Sequence, residues 1–214
     1  MFRPFVEIAL SISMSLIPTK FFVNRAVVAV TLGLLLPAAA IVAHPVHGDP
    51  SGFAGGVLHP LLGLDHLIAL LAVGLWSAEQ QGKSRWWIPA TFLAMMIAGA
   101  VVGMQSGAIS IGEHLIISSV LVFGGMIAMM WRPSLSVGLP VLSIFALAHG
   151  AAHGAEMPAA GSPVGFVLGF SLAAAGVIAT GFASGTLIRR VAESKGVRVA
   201  GLAIVMVGCF LLLV

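Results

Sequence analysis

Residues 164–188 form a run of 25 without one ionisable side chain, long enough to cross the roughly 30 Å hydrocarbon core of a bilayer as a helix. Backbone amides in lipid find no water to bond, so such a segment must be helical or belong to a closed barrel. Barrel strands would alternate apolar and polar residues over about ten positions, and this chain shows blocks instead. Further apolar runs at residues 55–78, 86–104, 112–131, 134–153 and 199–214 predict an all-α integral membrane protein, a six-helix transmembrane bundle. Of 214 residues, 59% are hydrophobic and 8% charged, against about 25% charged in soluble domains. No room remains for a second, soluble domain.

The N-terminal 43 residues read as a cleavable signal peptide. Lys20 and Arg25 precede an apolar run over 26–43 that ends in small residues just before His44, the order expected of a secretory leader. A start at Met14 would give a more ordinary basic region and leave residues 1–13 untranslated. The competing reading is an uncleaved first helix. Residues 44–214 then make a single six-span transmembrane domain.

The net charge of +3 reflects topology rather than nucleic-acid binding. Lys83 and Arg85 follow the first span, Arg132 the third, and Arg189, Arg190, Lys195 and Arg198 the fifth, whereas the loops after the second and fourth spans hold no Lys or Arg. The positive-inside rule puts the basic loops in the cytoplasm and the mature N-terminus and the C-terminus outside, as in a multi-pass protein of the bacterial inner membrane. Trp76, Trp86, Trp87 and Trp131 fall near cytoplasmic span ends, where interfacial aromatics belong. The single cysteine, Cys209, excludes an intrachain disulfide and a thiolate metal cluster and reads as a packing residue. In the fifth span Gly165 with Gly169 and Gly181 with Gly185 have GxxxG spacing, suited to close helix approach.

On this topology the histidines fall on one side. His44, His47 and Asp49 lie in the external N-terminal segment, His59, Asp65 and His66 in the first span, Glu113 and His114 at the external start of the third, and His149, His153 and Glu156 at the external end of the fourth. Titratable groups in lipid are costly and mark ion or substrate paths. His149 and His153 stand at i and i+4, on one helical face, which suits two imidazoles on one metal. His59 and His66, at i and i+7, are separated by about 10 Å of rise on a regular helix. One ion reaches both only if Pro60 and Gly63 break the helix; otherwise they are successive stations. Imidazole and carboxylate without thiolate suit Ni²⁺, Co²⁺, Zn²⁺ or Cu²⁺ and suit Mg²⁺ or Ca²⁺ poorly.

The segment HPLLGLDH, residues 59–66, and the later HGAAHGAEMP, residues 149–158, resemble the HupE/UreJ family of nickel and cobalt permeases, whose signature is HPxxGxDH. The likeness implies His59, Asp65 and His66 as core metal residues, His149, His153 and Glu156 as a second cluster, and Glu113 as a supporting acid. Where many members carry a further histidine, this chain has Gly55, Ala151 and Ile178.

The expected function is a secondary permease, not an enzyme, carrying Ni²⁺, with Co²⁺ as second cargo, from the external side into the cytoplasm. The ion would shed water at His149, His153 and Glu156, and His59, Asp65 and His66 would pass it deeper. No GxxxxGK[ST] loop is present, so ATP is not the direct energy source. The expected partners are a divalent transition-metal ion and lipid, with no nucleic acid, no permanently bound cofactor, and homo-oligomerisation left open. The alternative is a membrane-embedded zinc hydrolase using the same residues, against which stands the missing HExxH motif.

Overall fold

The computed structural model describes residues 52–106, 111–158 and 161–213, with the side chains of 111–113 left aside. The expected signal peptide and His44, His47 and Asp49 therefore lie outside the described residues, as does the side chain of Glu113. Six helices fill the described chain: α1 Gly52–Leu62, α2 Leu64–Ala78, α3 Ser84–Ser106, α4 Ile111–Ala128, α5 Leu135–Ala155 and α6 Pro163–Leu211. Among the described residues every regular element is helical, as the apolar blocks required.

Three helices, α3, α5 and α6, are long and apolar enough to cross a membrane, and α1 with α2 make a fourth if the bent pair counts as one span. The protein is a multi-pass helical membrane protein. Large side chains such as Val101, Ile144, Leu168, Leu172, Leu202 and Met206 are exposed on its flanks, an apolar surface that only lipid or another apolar partner covers. Inside, Leu70, Trp76, Phe92, Phe123, Phe166 and Phe170 are fully buried.

The first expected span is broken. Pro60 lacks the N–H that would bond back to residue 56 and so weakens α1 just before its end. Gly63 is extended at φ −84° and ψ 115°, and α2 restarts with the Leu67 amide donating to the Gly63 carbonyl at 2.9 Å. The two helices meet at a bend of 81°, which turns the C-terminal end of α1 toward the N-terminal end of α2.

The expected fifth and sixth spans are the two arms of α6, which meet at a break at Glu193. Pro163 occupies the first turn, where a missing N–H costs nothing, and Ser162 caps it by accepting from the Gly165 amide at 3.2 Å. Residues 189–198 were expected as a loop, yet Arg, Ala, Glu and Lys there are good helix formers and the helix runs on to Glu193, whose φ of 52° and ψ of −153° break it. The second arm then doubles back: Gly201 lies against Ala128 and Gly124, and Gly208 against Leu121 and Val120. It thus runs antiparallel to α4, while the first arm runs alongside α1 and α2, Gly169 meeting Phe53 and Val57, and Gly181 meeting Leu71.

Helix contact in lipid depends on close packing of small residues, and the tightest seam is one the sequence reading passed over. Gly99 and Gly103 on α3 face the Leu147 and Ala151 carbonyls of α5, while Gly150 and Gly154 on α5 face the Met96 and Ala100 carbonyls of α3. Of the glycines singled out from sequence, Gly169, Gly181 and Gly185 do abut α1 or α2, and Gly165 lies near Phe53. Cys209 is exposed on the second arm of α6, not packed inside. Trp76 also departs from expectation: it is buried rather than interfacial, stacked on Phe123 at 5.9 Å with its indole N–H donating to the Trp131 carbonyl at 3.3 Å. Trp86, Trp87 and Trp131 are exposed, as expected.

Candidate metal site

Because α1–α2 and α5 run in opposite directions, the two histidine motifs interleave instead of stacking as an outer and a deeper cluster. His59, on α1, meets Glu156, the C-cap of α5, with Nε2 2.9 Å from Oε2. His66, on α2, meets His149, seven residues earlier on α5, at a ring separation of 5.4 Å. His153 stands between the two pairs, 4.8 Å from the His59 ring and 4.6 Å from the His66 ring. The break at Gly63 thus brings both histidines of the first motif to one residue of the second, which a regular helix forbids. His149, expected beside Glu156 in an outer cluster, lies at the buried end of this series, while His59 meets Glu156 at the exposed end.

Exposure falls from Glu156 and His59 to His153 and His149, while the His66 side chain keeps 13% and that of Asp65 23%. The Glu156 side chain is 51% accessible and that of His59 28%, whereas His153 and His149 are at 1% and 0%. Phe166 and Phe170 line the descent, Phe170 stacking on His153 at 5.2 Å. Phe92 closes it, its ring 5.6 Å from His149. His114 is exposed and apart from these contacts.

Hydrogen bonding says which nitrogens are available. The His149 Nδ1–H donates to the Phe145 carbonyl at 2.9 Å, and since a carbonyl only accepts, the proton sits on Nδ1 and the lone pair on Nε2. His66 Nδ1 is 2.9 Å from Asp65 Oδ1, so the carboxylate orients that ring from behind. A carbonyl or carboxylate bound to the far nitrogen is the usual support of a metal-binding histidine. The nitrogens left over, His66 Nε2, His149 Nε2 and both of His153, are buried without a hydrogen-bond partner. Buried polar atoms are ordinarily satisfied. Four orphans on three adjacent rings mark a place built for a polar guest.

Two imidazoles sharing one ion at metal–nitrogen distances of about 2.1 Å have ring centres roughly 4.5–5.5 Å apart, the spacing of each neighbouring pair here. Among the described residues no three His, Cys, Asp or Glu side chains form a ready metal-holding set. The column therefore offers successive pairs, not a closed cage. Gly63 leaves room for the same pair: a Cβ there would stand 2.9 Å from His66 Nδ1 and 3.0 Å from Asp65 Oδ1, so those side chains would have to shift.

At the other end of the bundle lies a group the sequence reading set aside. Glu79, the C-cap of α2, is 2% exposed and accepts from Arg132 at 3.1 Å and from Arg189. In the sequence it follows a span and precedes Lys83 and Arg85. Only the approach of Arg189, 110 residues away, reveals the clamp.

The family model described as HupE / UreJ protein matches residues 31–211. Protein HupE of Rhizobium leguminosarum bv. viciae is 34% identical over 179 residues, which cover 84% of this chain and 93% of the relative. No solved structure matches.

Proposed function

Since the chain belongs to the HupE/UreJ family, we propose that it is a secondary permease carrying Ni²⁺, with Co²⁺ as second cargo, from the external side of the bacterial inner membrane into the cytoplasm. The observation that carries this reading is the set of orphaned imidazole nitrogens on His66, His149 and His153, buried in an otherwise apolar bundle. In this reading residues 1–43 are a signal peptide, and residues 44–214 cross the membrane six times, with both mature termini outside. The six crossings are the broken pair α1–α2, then α3, α4 and α5, and the two arms of α6.

Glu156 and His59 form the mouth, where a carboxylate attracts a hydrated dication and imidazole begins to replace its water. His153 takes the ion from His59 and hands it to His66, which leads to His149. Neutral imidazoles suit a borderline divalent ion, and two ligands at a time bind without the permanence that would block release. Asp65 acts from behind His66, fixing its tautomer and offsetting positive charge. His44, His47 and Asp49 would serve as an external capture segment and Glu113 with His114 as accessory groups near the mouth.

The zinc hydrolase alternative draws no support from the family match, and a catalytic zinc is ordinarily held by three protein ligands, an arrangement absent among the described residues. The test is accumulation of radiolabelled Ni²⁺ and Co²⁺ by cells expressing the chain. Accumulation above an empty-vector control, lost in the double variant His66→Ala with Asp65→Asn, is the expected result. Normal accumulation by that variant sinks the proposal.

A further inference from the structure

At the end of the bundle remote from the histidines, one buried carboxylate, Glu79, holds two arginines. Between His66 and Glu79 lie about 20 Å of α2, whose residues from Leu67 to Ala78 are buried throughout, so the column of imidazoles stops at a dry floor. Beneath that floor Glu79 ties three separate parts of the chain: its own place at the end of α2, Arg132 ahead of α5, and Arg189 near the turn of α6. Glu79 Oε1 remains buried without a partner. Directly beside it is a cavity of about 340 Å³ lined by Ala78, Glu79, Gln80, Gln81, Arg85 and Arg189.

Stability alone is a poor reason for this arrangement. A buried ion pair commonly stabilises no better than apolar residues of similar size. Nor does the loop need the clamp to be ordered. Ser77 Oγ donates to the Arg85 carbonyl, and Gln80 Nε2 donates to the Trp76 carbonyl at 3.2 Å. The partners are also unequal: Glu79 is buried, while Arg132 and Arg189 keep 29% and 47% of their side-chain surface accessible. Arg189 lines the cavity, so its guanidinium has room to move while the carboxylate stays.

We propose that Glu79 is the inner gate residue of the permease: its carboxylate holds Arg132 and Arg189 across the arginine end in the closed state, and a dication arriving from the histidine column displaces them. Both arginines then leave a carboxylate with two free oxygens, a hard, anionic last ligand at the brink of water. This rests on the transport reading for the identity of the dication; the lock itself rests on the geometry alone.

The test uses full-length protein in lipid nanodiscs, where both faces are accessible and topology plays no part. Cys209→Ser removes the natural thiol, and Ser184→Cys places one in a buried position beside Gly185, which abuts Ala78 and Leu75. Labelling by a charged thiol reagent is expected to be slow without metal and to rise about tenfold with excess Ni²⁺, as a minor open state becomes populated. Glu79→Gln should raise the metal-free rate to a similar level and abolish the response to Ni²⁺. Arg132→Gln with Arg189→Gln should raise the metal-free rate likewise, which keeps the test decisive if Glu79→Gln fails to fold. Metal-free rates equal to the parent in these variants overturn the lock, and a Ni²⁺ response that survives Glu79→Gln overturns the displacement. If the parent neither responds to Ni²⁺ nor takes it up in cells while the metal-free contrast persists, the transport reading fails and the lock stands.

Discussion

At the scale of single residues, Asp65 and Gly63 do different work for one imidazole. Asp65 holds His66 from Nδ1, so Asp65→Asn, nearly the same in shape but without the charge, is expected to reduce Ni²⁺ uptake about 10–100-fold, the usual effect of losing such a support. Gly63→Ala places a methyl group against the same pair and is expected to lower uptake while the amount of protein in the membrane, read by immunoblot, stays level. Protons and metal compete for the same lone pairs, so uptake should fall as the external pH is lowered, and a rate that rises on acidification would count against imidazole ligands. The histidines and acids themselves were legible in the sequence, because ionisable groups in an apolar run announce themselves. The reason for Gly63 was not, since its backbone angles are ordinary and only the nearness of two side chains crowds a Cβ.

At the scale of helices, the site exists because α1 and α2 are broken and because α3 holds α5 tightly. A Cβ at Gly150 would overlap the Met96 carbonyl, and one at Gly154 the Ala100 carbonyl, so Gly150→Ala is expected to destabilise the protein by about 1–3 kcal/mol through overpacking. Gly176 faces open space, and Gly176→Ala should leave thermal stability in detergent unchanged. The comparison checks that the seam, not glycine as such, matters. Sequence spacing located small-residue pairs in α6 but not the reciprocal pairs on α3 and α5, because GxxxG spacing does not say which face meets a partner. The break at Gly63 was one of two readings left open by Pro60 and Gly63, and the ring contacts of His153 with both His59 and His66 select it.

At the scale of the whole molecule, polarity is divided between two ends. Histidines and Glu156 gather at one, the Arg132–Glu79–Arg189 clamp at the other, with aromatic and aliphatic side chains between. The division was readable from the alternation of loops with and without Lys or Arg, since loops are short. That helix flanks the break at Glu193 on both sides within residues 189–198 was hidden, because a charged stretch between apolar runs looks like a loop until its helix propensity is weighed. Glu79 was hidden for a related reason: burial of a loop acid depends on cations distant in sequence. The central claim is that the buried imidazoles carry a dication through the bundle. Ni²⁺ entry into proteoliposomes loaded with a fluorescent chelator tests it most directly, comparing the parent with His149→Ala, the deepest ring and one remote from the mouth. Entry by the parent and a loss of about tenfold or more in His149→Ala is the expected result, whereas equal entry by both, or none by the parent, would contradict it.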